Sequence, residues 1–287
     1  MMCRFCTTVL WRILAIAVLS QLFCAATTTA ALRVASINLC SDQYLVALAG
    51  RDQIASVTWL AADPTRSAEA GRAVGLAVNH GSAEEIAAEQ PDLVLANSFS
   101  DPNVIDLVRR IGIQVLVLPS PSDFAGIIQN VRIVSAALAE SPRGEAIVNE
   151  MAANLGPIAA PVANPPVVAV LEPGGYTQGG GSLIDEAITQ AGGVSLARQM
   201  GLRGYSGLPL EKLVAASVDL VIEPGQWVHG ASLEFAILGH PAFRRRFDRI
   251  PRLVLPTNLT DCPAPASARL IPLIRNALER NDGTGRE

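Results

Sequence analysis

The chain has 287 residues, half of them apolar, and a formal net charge of −4. It carries no basic block, which points away from a nucleic-acid partner, and its single lysine, Lys212, stands among cations that are otherwise arginine. A chain of roughly 260 residues beyond an apolar leader is long enough for two modest lobes, each with its own core.

Arg4 and Arg12 set a basic start before the apolar run Ile13 to Leu19, which Leu22 and Phe23 extend. Small residues follow, from Ala25 to Ala31. This order predicts a secretory signal peptide over residues 1–31, cleaved between Ala26 and Ala31. The apolar part is too short for a comfortable membrane span. Cys24 raises a lipoprotein variant, but Phe23 is bulky where such a site wants a small residue. The mature chain is thus expected in the periplasm. Cys3, Cys6 and Cys24 leave with the leader, so Cys40 and Cys262 remain. In an oxidising compartment they are a disulfide pair, two free thiols or two soft metal ligands; spacing alone does not choose.

Arg33 to Leu39 reads as a strand, with Ser41-Asp42 capping a helix from Gln43 to Ala49. Ile54 to Trp59 is a second strand, and Ala61 to Val78 is irregular. The stretch Ser82 to Leu95, SAEEIAAEQPDLVL, combines a helix capped by Ser82 and Glu85 with a buried strand after Pro91-Asp92. A helix opens at Asp101-Pro102 and stops at Gly112, before a strand from Gln114 to Leu118. Helical periodicity then runs from Phe124 to Leu138 and from Ser141-Pro142 to Leu155, followed by a proline-rich connector. The rhythm resumes with a strand over Val167 to Leu171, a glycine-rich loop over Gly174 to Gly181 and a helix over Leu183 to Gln190. Pro209 to Ile222, PLEKLVAASVDLVI, repeats the earlier unit: Glu84 falls on Glu211, Asp92 on Asp219 and Leu93 on Leu220. A helix over Ala231 to Leu238, a strand over Leu253 to Leu255 and a helix over Ala266 to Leu278 finish the chain before a disordered tail.

Strand alternating with helix predicts parallel sheets, and the repeated unit predicts two similar Rossmann-like α/β lobes. The expected divisions are a lobe over 32–121, connecting helices over 122–165, a lobe over 166–281 and a tail over 282–287. Ligands of such sheets sit beyond the carboxyl ends of the strands. The residues expected there are Cys40, Ser41, Trp59, Asn79, His80, Phe99, Tyr176, Trp227, His229 and Asp261. Aromatic faces with a few polar groups suit a flat, bulky ligand. Arg66, Arg72 and Arg203 are the cations nearest these loops, none directly at a strand end.

With its helix-Glu-PDLVL unit, a second copy ending in VDLVI and a mid-chain helix, the sequence resembles the periplasmic binding proteins of iron-siderophore, haem and cobalamin importers. The resemblance covers Leu32 to Leu278 and is most specific in SAEEIAAEQPDLVL. It implies two lobes joined by one rigid helix, Pro142 to about Leu155. It also implies capture of a metal chelate by a monomer and delivery to an ABC permease dimer with its ATPase. Trp59 stands where the cobalamin member has a ligand-touching aromatic, and Glu84 and Glu211 stand where family members carry permease-docking acids. The aromatic and amide character leans toward a corrinoid or a hydroxamate siderophore.

The glycine run Gly179 to Gly181 lacks both dinucleotide-loop spacing and the lysine of a P-loop. There is no GxSxG elbow and no HExxH. The chain is therefore read as a binding protein, not an enzyme, with no catalytic residue, resident cofactor or metal centre of its own. His80 and His229, with Cys40, Cys262 or Asp261, keep two other readings open: a binding protein for a bare metal ion and a metal-dependent periplasmic enzyme.

Overall fold

Apolar residues begin to alternate with polar ones at Val34, and from there strands and helices follow in turn. The structure, a computed structural model, describes residues 31–157, 163–225, 245, 247 and 249–284. The expected signal peptide, Trp227, His229 and the helix expected over Ala231 to Leu238 lie outside the described residues.

Lobe one holds β1 (Val34–Ser36), α1 (Leu39–Leu48), β2 (Ile54–Thr58), α2 (Ala70–Ala73), β3 (Val78–Asn79), α3 (Ala83–Glu89), β4 (Leu93–Asn97), α4 (Pro102–Arg110) and β5 (Gln114–Leu118). Its strands form one parallel sheet in the order β3-β2-β1-β4-β5. The two connecting helices are α5 (Phe124–Ala137) and α6 (Ser141–Leu155). Lobe two holds β6 (Val167–Val170), β7 (Tyr176–Gln178), α7 (Leu183–Gln190), β8 (Val194–Ser195), α8 (Leu196–Gln199), β9 (Tyr205–Gly207), α9 (Leu210–Ala215), β10 (Leu220–Pro224), β11 (Arg252–Leu255), α10 (Thr257–Thr260) and α11 (Leu270–Thr284). Its main sheet is parallel in the order β11-β10-β6-β8, beside an antiparallel pair of β7 and β9.

The two main sheets share a plan. Val34 pairs with Leu93 in lobe one, and Val168 pairs with Leu220 in lobe two. The aspartate ahead of each inner strand locks that register. Asp92 accepts the Arg33 N–H at 2.8 Å, and Asp219 accepts the Val167 N–H at 2.7 Å. The Asp92 and Asp219 N–H groups return the bond to the Arg33 and Val167 carbonyls, each at 2.8 Å. The reciprocal pair fixes which residues lie abreast, and a one-residue slip would exchange the side chains of the two faces of the sheet.

One buried apolar cluster runs from lobe one (Leu45, Val57, Leu95) through the connecting helices (Ile127, Val131, Met151) into lobe two (Val168, Ile188, Ile274). A second, smaller cluster covers the other face of each sheet, with Val94 and Ile105 in lobe one and Ala169 and Val221 in lobe two. Sheets buried on both faces explain why the inner strands read as continuous apolar runs.

Several boundaries differ from the sequence expectation. Helix α1 begins at Leu39, because Asn38 rather than Ser41-Asp42 is its cap: the Asn38 side chain accepts the Cys40 N–H at 2.8 Å. The last helix continues through Asn281 to Thr284, where a disordered tail was expected. Strand β7 arises where a glycine loop was read, and it pairs with β9. Gly179 lies so close to Leu202 that a Cβ there would sit 2.5 Å from the Leu202 carbonyl oxygen. The glycine run therefore serves chain packing against residues 202–204. Among the described residues no helix is long and apolar enough to cross a membrane.

Candidate functional site

The carboxyl ends of β1, β2 and β3 open onto a cavity of about 440 Å³ at the junction of the lobes. Lobe one lines it with Asn38, Cys40, Trp59, Leu60, Arg66 and His80; lobe two contributes Asp261 and Cys262. This volume falls in the range of small-molecule sites. Four of the residues expected at a ligand from sequence thus meet in one place: Cys40, Trp59, His80 and Asp261.

Trp59 follows β2 directly and leaves 57% of its surface exposed. An indole this exposed at a cavity wall offers a broad apolar face and one N–H donor. His80 follows β3, and its orientation is set from the next helix. Ser82 caps α3 by accepting the Glu85 N–H at 3.2 Å. The Glu85 carboxylate then reaches back past the cap and accepts the His80 backbone N–H at 2.8 Å. Its other oxygen lies 2.9 Å from His80 Nδ1. These hydrogen bonds, the His80 ring first, hold the Glu85 carboxyl down to about 2, so it is ionised at neutral pH.

The cavity floor joins the lobes. Cys40 and Cys262 form a disulfide with an S–S distance of 2.07 Å and Cα atoms 5.1 Å apart. Arg66 Nε donates to the Asp261 carboxylate. Burial raises the Asp261 carboxyl, and the Arg66 hydrogen bond and charge oppose the rise. Nearby, Tyr44 OH donates to the Pro263 carbonyl at 2.8 Å, and Asn258 Nδ2 donates to the Pro64 carbonyl at 2.9 Å. Glu172, at the end of β6, is also raised by burial, against a 3.3 Å hydrogen bond from Gln178, and the Asp261 charge adds to the rise.

Two expected ligand contacts, Ser41 and Asn79, are buried away from the cavity. Ser41 is fully buried in the first turn of α1; its hydroxyl accepts from Ser36 Oγ and donates to the Asn38 carbonyl, each at 2.9 Å. Asn79 is also fully buried; its amide donates to the Ser36 carbonyl at 3.0 Å and to Ser56 Oγ at 2.7 Å, and its oxygen accepts the Gly81 N–H at 2.9 Å. Both tie strand ends together beneath the cavity. Phe99 is 79% exposed at the end of β4 and does not line the cavity. Of the arginines, Arg66 lines the cavity, whereas Arg72 lies in a separate crevice with Glu69, Glu150 and Arg269.

Sequence reading missed Tyr205. Strands β7 and β9 bring it onto Tyr176, ring centroids 4.8 Å apart and planes 11° from parallel. Both rings are exposed at the carboxyl end of β6. It also took Asp42 for a cap. Asp42 is instead buried, accepting the Thr58 N–H at 3.2 Å and the Thr58 hydroxyl. Burial pushes its carboxyl up to about 7, against the lowering effect of hydrogen bonds from Ser36 and Thr58.

Glu84 and Glu211 lie in the first turns of α3 and α9, and both are exposed. The α3 start and the β3 end share one face of lobe one, because only residues 80–82 separate them.

The model of the periplasmic binding protein family matches residues 34–245. The apo periplasmic haem-binding protein RhuT of Roseiflexus sp. RS-1 is 24% identical, with a TM-score of 0.67 over 87% of this chain and 98% of that one. The periplasmic haem-binding protein HutB of Vibrio cholerae is 17% identical, with a TM-score of 0.69 over 86% and 98%. The periplasmic vitamin B12-binding protein BtuF of Vibrio cholerae is 16% identical, with a TM-score of 0.61 over 88% and 98%. At these identities the solved structures show the fold. No curated protein matches the chain.

Proposed function

The chain belongs to the periplasmic binding proteins, and from that premise we propose that it captures a metal chelate in the interlobe cavity and hands it to an ABC importer. The observation that carries this is Trp59: a wide, uncovered aromatic face on the wall of a cavity at the strand ends. A macrocyclic chelate has the extended π or apolar surface to cover it. Residues 32–121 and 166–281 act as the two lobes, with 122–165 as the connecting body.

Titration with ferric haem, cobalamins and ferric hydroxamates, read by tryptophan fluorescence, tests the proposal. At least one chelate is expected to quench the signal saturably and be recovered unchanged. Trp59→Ala is expected to weaken that binding by about 1–3 kcal/mol, the scale of a buried aromatic contact. Wild-type affinity in Trp59→Ala would move the ligand away from this cavity.

Glu84 and Glu211 are proposed to dock the protein on its permease. Two exposed carboxylates at equivalent places, one per lobe, match a partner with two-fold symmetry and would orient the encounter. Their other role is local: an acid in the first helical turn contributes about 0.3–1 kcal/mol through the helix dipole. The Glu84→Ala/Glu211→Ala variant is expected to keep chelate affinity and melting temperature while permease affinity falls roughly ten- to a hundredfold. Undiminished uptake by cells carrying that variant and its own permease would leave only the dipole role.

A further inference from the structure

The interlobe disulfide has the layout of an exchangeable bond. Cys40 stands in the first turn of α1 and is half-buried, whereas Cys262 is 2% exposed. Both line the cavity, so a reagent reaches the bond from the cavity and meets Cys40 first. A thiol in the first turn of a helix lies at the positive end of the helix dipole, which favours its thiolate. Cys40 is the second residue of that ten-residue helix, and the Asn38 side chain fixes its backbone by accepting its N–H at 2.8 Å. A favoured thiolate stabilises the reduced form and makes the bond easier to open.

The seam is built to survive that opening. Arg66 pairs with Asp261, Tyr44 donates to Pro263 and Asn258 donates to Pro64, all beside the bond. The lobes also share one buried apolar cluster through the connecting helices. Reduction therefore loosens one wall of the cavity against the other and leaves both cores intact.

We propose that the Cys40–Cys262 bond is a site of thiol–disulfide exchange with a dithiol reductant, gated by the ligand in the cavity. A reductant thiolate attacks Cys40 Sγ, the S–S bond breaks, and Cys262 leaves as a thiolate that takes up a proton. The reductant's second thiolate then attacks the reductant's own bound sulfur and releases Cys40. Two electrons pass to the protein, and the reductant departs as a disulfide. The gating rests on the chelate reading above. A chelate in the cavity covers the bond, and the bond holds the walls in place for the chelate. Each event then shifts the other by the same factor. Reduced protein must order its walls at each encounter, so its affinity is expected to be about tenfold lower. A saturating chelate then lowers the midpoint potential of the bond by about 30 mV, the equivalent of tenfold for a two-electron couple.

Native protein treated with glutathione, quenched in acid and peptide-mapped tests the exchange; dithiothreitol titrations with circular dichroism give the midpoint. Glutathione is expected on Cys40 and not on Cys262, and dithiothreitol is expected to reduce the bond with the native spectrum retained. Cyanocobalamin, a gallium hydroxamate and gallium protoporphyrin, which dithiothreitol leaves intact, are the chelate probes. A probe that quenches tryptophan fluorescence is expected to slow reduction and lower the midpoint. It should also bind Cys40→Ser/Cys262→Ser about tenfold more weakly than oxidised wild type. A bond that reacts only in denaturant, or an adduct on Cys262, overturns the exchange. Loss of the native spectrum on reduction overturns it too, because the bond is then a folding staple. Equal reduction rates and midpoints with and without a quenching probe overturn the gating and leave chelate capture standing. Quenching by none of the probes counts against chelate capture and takes the gating with it, while the glutathione adduct still decides the exchange.

Discussion

Removing the Cys40–Cys262 disulfide is expected to lower unfolding free energy by about 4–5 kcal/mol, the scale for a bridge that closes a very long loop. The bridge spans 222 residues, so its loss releases most of the chain in the unfolded state. The folded state loses less. Arg66 still pairs with Asp261, Tyr44 still donates to Pro263, and Asn258 still donates to Pro64. Urea midpoints of wild type, oxidised and reduced, and of Cys40→Ser/Cys262→Ser measure the difference. A shift worth under about 1 kcal/mol would mean that these contacts hold the unfolded chain as well, contrary to the loop-closure argument.

The second large effect concerns pH. The Asp42 carboxyl is raised to about 7 in the fold, from an ordinary value of 3.8. Between these values the native state holds a proton that the unfolded chain releases. The stabilising contribution is therefore complete below pH 3.8 and is lost as pH rises through about 7. A shift of this size corresponds to about 4 kcal/mol across the window. Asp42→Asn keeps a neutral acceptor for the Thr58 N–H and cannot ionise, so its stability should fall less between pH 4 and pH 8 and exceed that of wild type at the upper end. Other raised carboxyls, Glu69, Glu172 and Asp261 among them, remain in both proteins and cancel in the difference. Parallel pH profiles for the two proteins would show Asp42 ionised throughout, held by the dipole of α1.

What was legible in the sequence was the backbone plan. Asp92 and Asp219 stood at matching places in two apolar units, and each accepts the N–H that opens the neighbouring strand. A period-based reading finds such units because burial on both faces forces an apolar run. Side-chain destinations were less legible. Ser41 and Asn79 sit next to the cavity in sequence, yet the demand to satisfy buried polar groups turns them inward. Tyr205 escaped notice because its place depends on β7 pairing with β9 through a glycine loop that carries no strand period. Asn38 took the cap from Ser41-Asp42 by starting the helix one turn early, and that buried Asp42. The cysteine pairing was undecided at 222 residues' separation, since approach distance is a property of the fold.

The contacts at the cavity floor all converge on one short stretch, residues 258–263. A hinge bolted on the inside of its own jaw cannot swing freely. The entropy of bringing the jaws together is then spent once, during folding, and not at each encounter with ligand. On the reading proposed above, capture is docking into a mould, expected to show a single kinetic phase and little change in molecular radius.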